Sequence, residues 1–350
     1  MNPSAVGERV LNEEIVGFKA GDGLDLNLHH VWGRTPAHRG PVLLVHGAGV
    51  RANIFRAPVE TDVVAALVEH GYDVWLENWR ASIDLPPTRW NLDEAAVHDH
   101  PAAVKTVLER TGAPTMKAVV HCQGSTSFVM SATAGLLPQV DTIVSNAVSL
   151  HPVVPTWSGF KLRFLMPIVE RLTRYLNPHW GVAPAGFVGR MTNALVALFH
   201  HECDNLVCRQ VSFTYGAGCP ALWRHEQLND GTHEWLKQEF AAVPLTFFEQ
   251  MAKCVRHGSM ISLGASPSLP GDFAAGPPKT DARFALLSGR HNLCFLPESQ
   301  IRTHDYLKRT TKGAHTLHLF DDYSHLDVFM GKNAARDTFP TILAELDGKA

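Results

Sequence analysis

The run "PVLLVHG", beginning at Pro41, carries no polar side chain on either face before His46. A short strand that is apolar on both faces must be covered on both faces, which puts it inside a parallel sheet flanked by helices. The chain repeats that demand. "YDVWLENWR", "KAVVHC", "VDTIVSNAVSL", "RFALLSG" and "HTLHLFDD" are further strand-like runs. Between and after them lie helix-like stretches: Pro58 to His70, Asp99 to Gly112 with Asp99 read as the cap, Gln123 to Leu137, Pro297 to Arg309 and Lys332 to Leu346. This alternation predicts an α/β fold with a mostly parallel central sheet and helices on both faces. Ahead of it, "EEIVGFKAGDG" and "LDLNLHHVWG" read as a hairpin turning at Gly-Asp-Gly.

The alternation stops between residues 151 and 257. That stretch is helix-like and rich in aromatics, among them Trp157, Phe160 and Trp223, and reads as a helical cap inserted into the sheet domain. The expected organisation is therefore a first core part over 1–150, the cap over 151–257 and a second core part over 258–350. A formal charge of −3 gives no reason to expect nucleic acid or an anionic membrane as partner. No run approaches the roughly 18 apolar residues of a membrane span. The first residues, "MNPSAVGERV", lack the basic-then-apolar order of a secretion signal. Six cysteines in no framework spacing fit reduced thiols in the cytoplasm, and the Cys203–Cys208 interval is not that of a metal knuckle. Neither a metal nor a cofactor is expected.

Chemistry enters at "MKAVVHCQGSTSF", residues 116–128. Strand, sharp turn and helix succeed one another there, with Cys122 at the apex of what reads as a nucleophile elbow. Such a turn needs small residues two positions either side of the apex. Gly124 meets the requirement; Val120 is larger than the usual glycine. Ser125 is a poorer choice of nucleophile, because Gln123 and Ser127 would flank it and it falls inside the helix.

With "VHGAGVRANIF" after the third strand, "ENWR" after the fourth, "VHCQGS" at the elbow and "YSHLD" near the end, the chain resembles the α/β-hydrolase superfamily. The resemblance is to capped hydrolases of the acid-lipase type and to hydrolase modules associated with cholesterol-oxidase-like flavoproteins, which implies a possible flavoprotein oxidase partner. It also implies an oxyanion hole from the backbone N–H groups of Gln123 and Ala48, and a base at His325 in "DDYSHLD". The resemblance places the acid in "LLSGRHNLCFLPES", where Asn292 stands instead of the usual Asp. His46 and His121 read as supports for their loops, and the pair His200-His201 lacks metal-ligand spacing.

The two departures explain each other. A serine depends strongly on a carboxylate behind its histidine, and replacing that Asp by Asn in a serine protease costs about 10⁴ in turnover. A thiol starts near pKa ~8.5 and is drawn lower by a neighbouring imidazole. A Cys122–His325–Asn292 triad is the expectation, with the Asn oxygen orienting the ring; Asp321, Asp322 and Asp327, beside His325 in sequence, are the alternative orienting groups. Three functions compete: a hydrolase acting on an ester, thioester or lactone of an apolar substrate, an acyltransferase using the same thioester with an alcohol, amine or thiol as acceptor, and a catalytically silent ligand-binding protein.

Overall fold

A computed structural model describes residues 11–199, 202–219, 222–264 and 266–349. The first ten residues and the pair His200-His201, both read above, lie outside the described residues. Eight strands form the main sheet: β1 (Asn12–Lys19), β2 (Asp25–Trp32), β3 (Pro41–Val45), β4 (Asp73–Asn78), β5 (Met116–His121), β6 (Val140–Asn146), β9 (Arg283–Gly289) and β10 (Thr316–Phe320). The other two, β7 (Tyr175–Leu176) and β8 (Val243–Pro244), pair apart from it. The order is β1-β2-β4-β3-β5-β6-β9-β10. The hairpin joins antiparallel, Asn12 opposite Trp32, and β2 meets β4 antiparallel, while every later pairing is parallel.

All five residues of β3 are buried, as a strand covered on both faces must be. Helix Val63–Glu69 packs with Phe339–Leu346, and helix His100–Thr111 packs with Cys122–Thr133. Full burial of Leu43, Leu44, Val119 and Val144 accounts for the central layer, each side chain contributing about 1.5–3 kcal/mol.

Several element boundaries differ from the sequence reading: the helix read from Pro58 starts at Val63, and the one read to Leu137 ends at Thr133. Asp99 is not a cap. The helix starts earlier, at Leu92, where Asn91 and Glu94 form a capping box: Asn91 Oδ1 accepts from Glu94 N at 3.1 Å and Glu94 Oε2 accepts from Asn91 N at 2.8 Å. A π turn over Ala95–Asp99 then runs into His100–Thr111. Pro101 has no N–H to give the preceding turn, and a wider turn is where such a gap is accommodated. The Asp99 carboxylate is instead buried against the Arg80 guanidinium at 2.6 Å. β6 stops at Asn146, because Ala147 turns to φ 85°. The last helix, read as Lys332 to Leu346, is broken into Ala334–Asp337 and Phe339–Leu346, with Pro340 in the first turn of the second piece, and a separate short helix, Asp327–Met330, precedes it.

Between β6 and β9 the chain is largely helical. Leu206–Tyr215, Asp230–Glu239 and Leu245–His257 are its main helices with Gly186–Phe199. The short β7–β8 ladder, Tyr175 opposite Pro244, ties its two ends together, an element the sequence pattern did not announce. No helix among the described residues is long and apolar enough to cross a membrane.

Candidate active site

β5 ends at His121 and the helix Cys122–Thr133 begins at once, so one residue must reverse the chain. That residue is Cys122, held at φ 55°, a left-handed conformation that few non-glycine residues adopt. The turn is tight enough to exclude side chains around it. A Cβ on Gly124 would lie 2.1 Å from the His46 carbonyl oxygen, and one on Gly47 would lie 3.0 Å from Cys122 Cβ. Val120, the residue flagged as large, is fully buried between Val45 and the small Ser145 on neighbouring strands. Ser125 Oγ points away from the turn and shares a hydrogen bond with Ser145 Oγ at 2.6 Å.

His325, on the loop after β10, brings a ring nitrogen to within 4.8 Å of the Cys122 sulfur. Burial alone would push the Cys122 thiol up. The Cys294 thiol, the His325 ring and the Gln123 backbone N–H all stabilise its charged form, and together they hold it well below its ordinary value. Cys294 faces the opposite pressure: burial and the neighbouring Cys122 push it well up. It remains a thiol and donates to the Tyr215 carbonyl at 3.3 Å. Of the pair, Cys122 is the more readily ionised thiol.

Ala48 and Gln123 line the space around the sulfur. Trp79 Nε1 donates to the His46 carbonyl at 2.9 Å, fixing the strand end that feeds the "GAG" loop. Burial lowers His46 to about 3, so it is neutral and donates Nδ1–H to the Gly47 carbonyl at 2.6 Å. His121 is likewise held neutral by burial, and Asn146 Nδ2 donates to its Nδ1 at 3.0 Å. The same Asn146 amide also reaches the His325 carbonyl at 3.1 Å, so β6 fixes the backbone of His325. Both histidines support loops, as the sequence suggested.

From Cys122 a cavity of about 330 Å³ extends into the helical stretch between β6 and β9, walled by Leu162, Met166, Met191, Phe213, Phe247, Phe248 and Phe295. Lys161 is its one cationic lining residue among the described residues. Burial pushes Lys161 down to about 7, and its ammonium is taken by the carbonyls of Phe213 and Gly216.

No family model matches the chain. Lipase member K of Homo sapiens is 32% identical over 158 residues, covering 41% of this chain and 39% of its own. Sterol esterase 2 of Saccharomyces cerevisiae is 25% identical over 157 residues, covering 37% and 29%. The chain thus spans well under half the length of the curated relatives it matches. Among solved structures, a putative aryl esterase from Burkholderia cenocepacia superposes with a TM-score of 0.55 at 13% identity, covering 95% of this chain and 100% of that one. A lipase in its open form gives 0.57 at 14%, covering 97% and 99%. This is the α/β-hydrolase fold.

In an α/β-hydrolase fold the acid follows a late strand and faces the ring nitrogen that the nucleophile does not use. Asn292 stands after β9 as expected, but the hydrogen bond read from sequence does not form. Asn292 Oδ1 accepts from the backbone N–H groups of Cys294 at 3.0 Å and Phe295 at 3.1 Å. Both lone pairs of the only acceptor atom are therefore taken by the chain's own turn. Asn292 Nδ2 and His325 Nδ1 are both buried without a partner. Asp327, close to His325 in sequence, is committed elsewhere and accepts from Ser324 N at 2.8 Å and Arg224 N at 3.0 Å.

Sequence reasoning missed Tyr215. Its hydroxyl is buried with no partner, and a Cβ on Gly49 would lie 2.1 Å from it. Burial and the nearby Cys122 push it well above 10, so it stays a donor. It also missed a decoy. Ser127 Oγ meets His100 Nε2 at 2.7 Å, and His100 Nδ1 meets Glu77 at 2.9 Å, a Ser-His-Glu array with the right order of atoms. All three are fully buried, Ser127 on the elbow helix itself, and line none of the described cavities, so the array is structural.

Proposed function

We propose that the protein is a cysteine-dependent esterase. It cleaves an ester, thioester or lactone whose acyl or alcohol part is sizeable and apolar. The observation that carries this is one juxtaposition: a strained elbow cysteine, with a histidine at its sulfur, opening onto an apolar cavity in the cap. The Cys122 thiolate attacks the carbonyl carbon. The oxyanion takes hydrogen bonds from the N–H groups of Gln123 and Ala48, and the Tyr215 hydroxyl supplies a third donor from the cap. The imidazolium of His325 gives its proton to the departing alcohol, leaving the acyl group on sulfur. Neutral His325 then takes a proton from water as it attacks the thioester, and the acid leaves. Asn292 acts in this scheme by holding the turn that presents Cys294 and Phe295, while Asn146 and the His121 and Phe295 rings set the base.

The curated relatives are named as lipases and a sterol esterase, which supports hydrolysis of hydrophobic esters. Transfer to an alcohol, amine or thiol is the competing outcome, supported by the exclusion of water from an apolar cavity. The test is a panel of nitrophenyl esters of increasing acyl length, each run with millimolar alcohol, amine or thiol acceptors. kcat/KM is expected to rise with acyl length and the product to remain the free acid. Saturable diversion of the acyl group at low acceptor concentration replaces hydrolysis by transfer. Rates that do not exceed those of Cys122→Ala for any ester overturn both.

A further inference from the structure

Away from the elbow, the cap gathers a second set of metal-ligand atoms. Cys203 precedes the helix Leu206–Tyr215 and Cys208 lies in its first turn, His225 opens a short 3₁₀ turn, and His233 lies on the helix Asp230–Glu239. Their sequence intervals are those of no familiar finger, yet the fold brings one ligand atom of each to within 4.8 Å of all the others. Cys208 Sγ and His225 Nε2 stand 3.4 Å apart. Zinc–sulfur bonds near 2.3 Å and zinc–nitrogen bonds near 2.0 Å give a tetrahedron with edges of roughly 3.3–3.8 Å. That pair already matches such an edge, and the others need close by at most about 1.5 Å.

We propose that Cys203, Cys208, His225 and His233 form a structural zinc site that staples the cap.

Two further observations point to a cation here. His233 Nε2 is buried without a hydrogen-bond partner, an orphan that a metal would satisfy. His225 presents Nε2 to the cluster because its other nitrogen, Nδ1, faces the Glu202 carboxylate at 3.3 Å. This carboxylate–histidine arrangement is the one that fixes tautomer and ring direction behind metal-bound histidines. Zinc binding displaces one proton from each thiol, and Zn²⁺ with two thiolates and two neutral imidazoles is a neutral site. Four protein ligands leave no open position, so the metal holds structure and activates no water. Soft sulfur paired with imidazole in four-coordinate geometry favours zinc over magnesium or calcium.

The site is mechanically linked to the elbow. The helix that begins beside Cys203 ends at Tyr215, whose hydroxyl faces the Gly49 loop. The strand of chain leading into His225 clamps the base loop: Leu326 N donates to the Leu222 carbonyl at 2.8 Å and Arg224 N to Asp327 Oδ2 at 3.0 Å. Loss of the metal is therefore expected to lower thermal stability and loosen His325 together.

The test uses the full-length chain without a histidine tag, purified in a thiol reductant. Elemental analysis is expected to give close to one zinc per chain, and less than about a tenth of that for C208S/H233A. Glu202→Gln keeps all four ligands and guards against a misfolded double variant; it is expected to weaken zinc about 10- to 100-fold in competition with a chromophoric chelator. Cobalt added to the chelator-stripped chain is expected to show the visible bands of tetrahedral cobalt with thiolate-to-metal charge transfer. Background zinc in the wild-type chain, together with no cobalt bands under reducing conditions, overturns the site. So does a Cys203–Cys208 disulfide found in the native protein by peptide mapping.

Discussion

At the scale of single residues the account turns on how Cys122 is kept reactive inside a buried site. A thiol whose charged form is stabilised by His325 and by the Gln123 N–H stays ionised as the pH falls, until the pH passes its own lowered pKa. The alkylation rate constant of Cys122 with iodoacetamide is expected to change only a few-fold between about pH 8 and about pH 6. An ordinary thiol, pKa ~8.5, loses about a hundredfold over that interval. Peptide mapping after partial reaction assigns the rate to Cys122; a hundredfold fall there removes the thiolate from the mechanism. The missing carboxylate makes a second prediction. Cys122→Ser leaves a serine supported by a histidine with no acid, and is expected to lose on the order of 10³–10⁴ in kcat. Asn292→Asp keeps one oxygen for the turn and puts a second where Nδ2 now stands. In that background the serine enzyme is expected to recover about tenfold or more. Equal rates for C122S and C122S/N292D would show that position 292 does not communicate with His325.

At the scale of elements, the strand–turn–helix at 116–128 was legible because its constraint is local. Close packing forbids side chains beside the apex, and the glycine at 124 records that in one letter. Gly124→Ala is expected to cost about 3 kcal/mol, since its Cβ would press on a backbone carbonyl that cannot move aside. A thermal midpoint within a degree or two of wild type would mean that the elbow is looser than described. Asp99 shows the limit of the same approach. As a helix start it had a proline two residues on, a pattern that fits a cap equally well. What decided against it was Arg80, nineteen positions earlier and brought alongside by the sheet. Asn91 and Glu94, spaced as a capping box in "NLDE", carried the correct signal locally and were passed over. The Asn292 bond failed for a related reason. Its position after β9 was readable, but whether its oxygen faced a ring or two N–H groups depends on the turn that follows.

At the scale of the whole molecule, a mostly parallel sheet with helices on both faces followed from alternating apolar runs, which the hydrophobic effect writes into every strand. The cap left no such record. Tyr215 at the oxyanion loop, Lys161 tied to carbonyls in the cavity wall, and four metal-type ligands drawn from three segments are all products of tertiary packing. Nothing in their spacing announced them. The cavity shape decides what binds, but the central claim is simpler: the acyl group passes through one sulfur. An activated ester is mixed with the enzyme, quenched in acid within a turnover, and read by intact mass and peptide mapping. The account predicts one acyl increment on the peptide containing Cys122, released by neutral hydroxylamine as a thioester, retained in Cys294→Ala and absent in Cys122→Ala. An enzyme that turns over while Cys122 is never acylated, or that carries its acyl group on Cys294 or a serine, contradicts it.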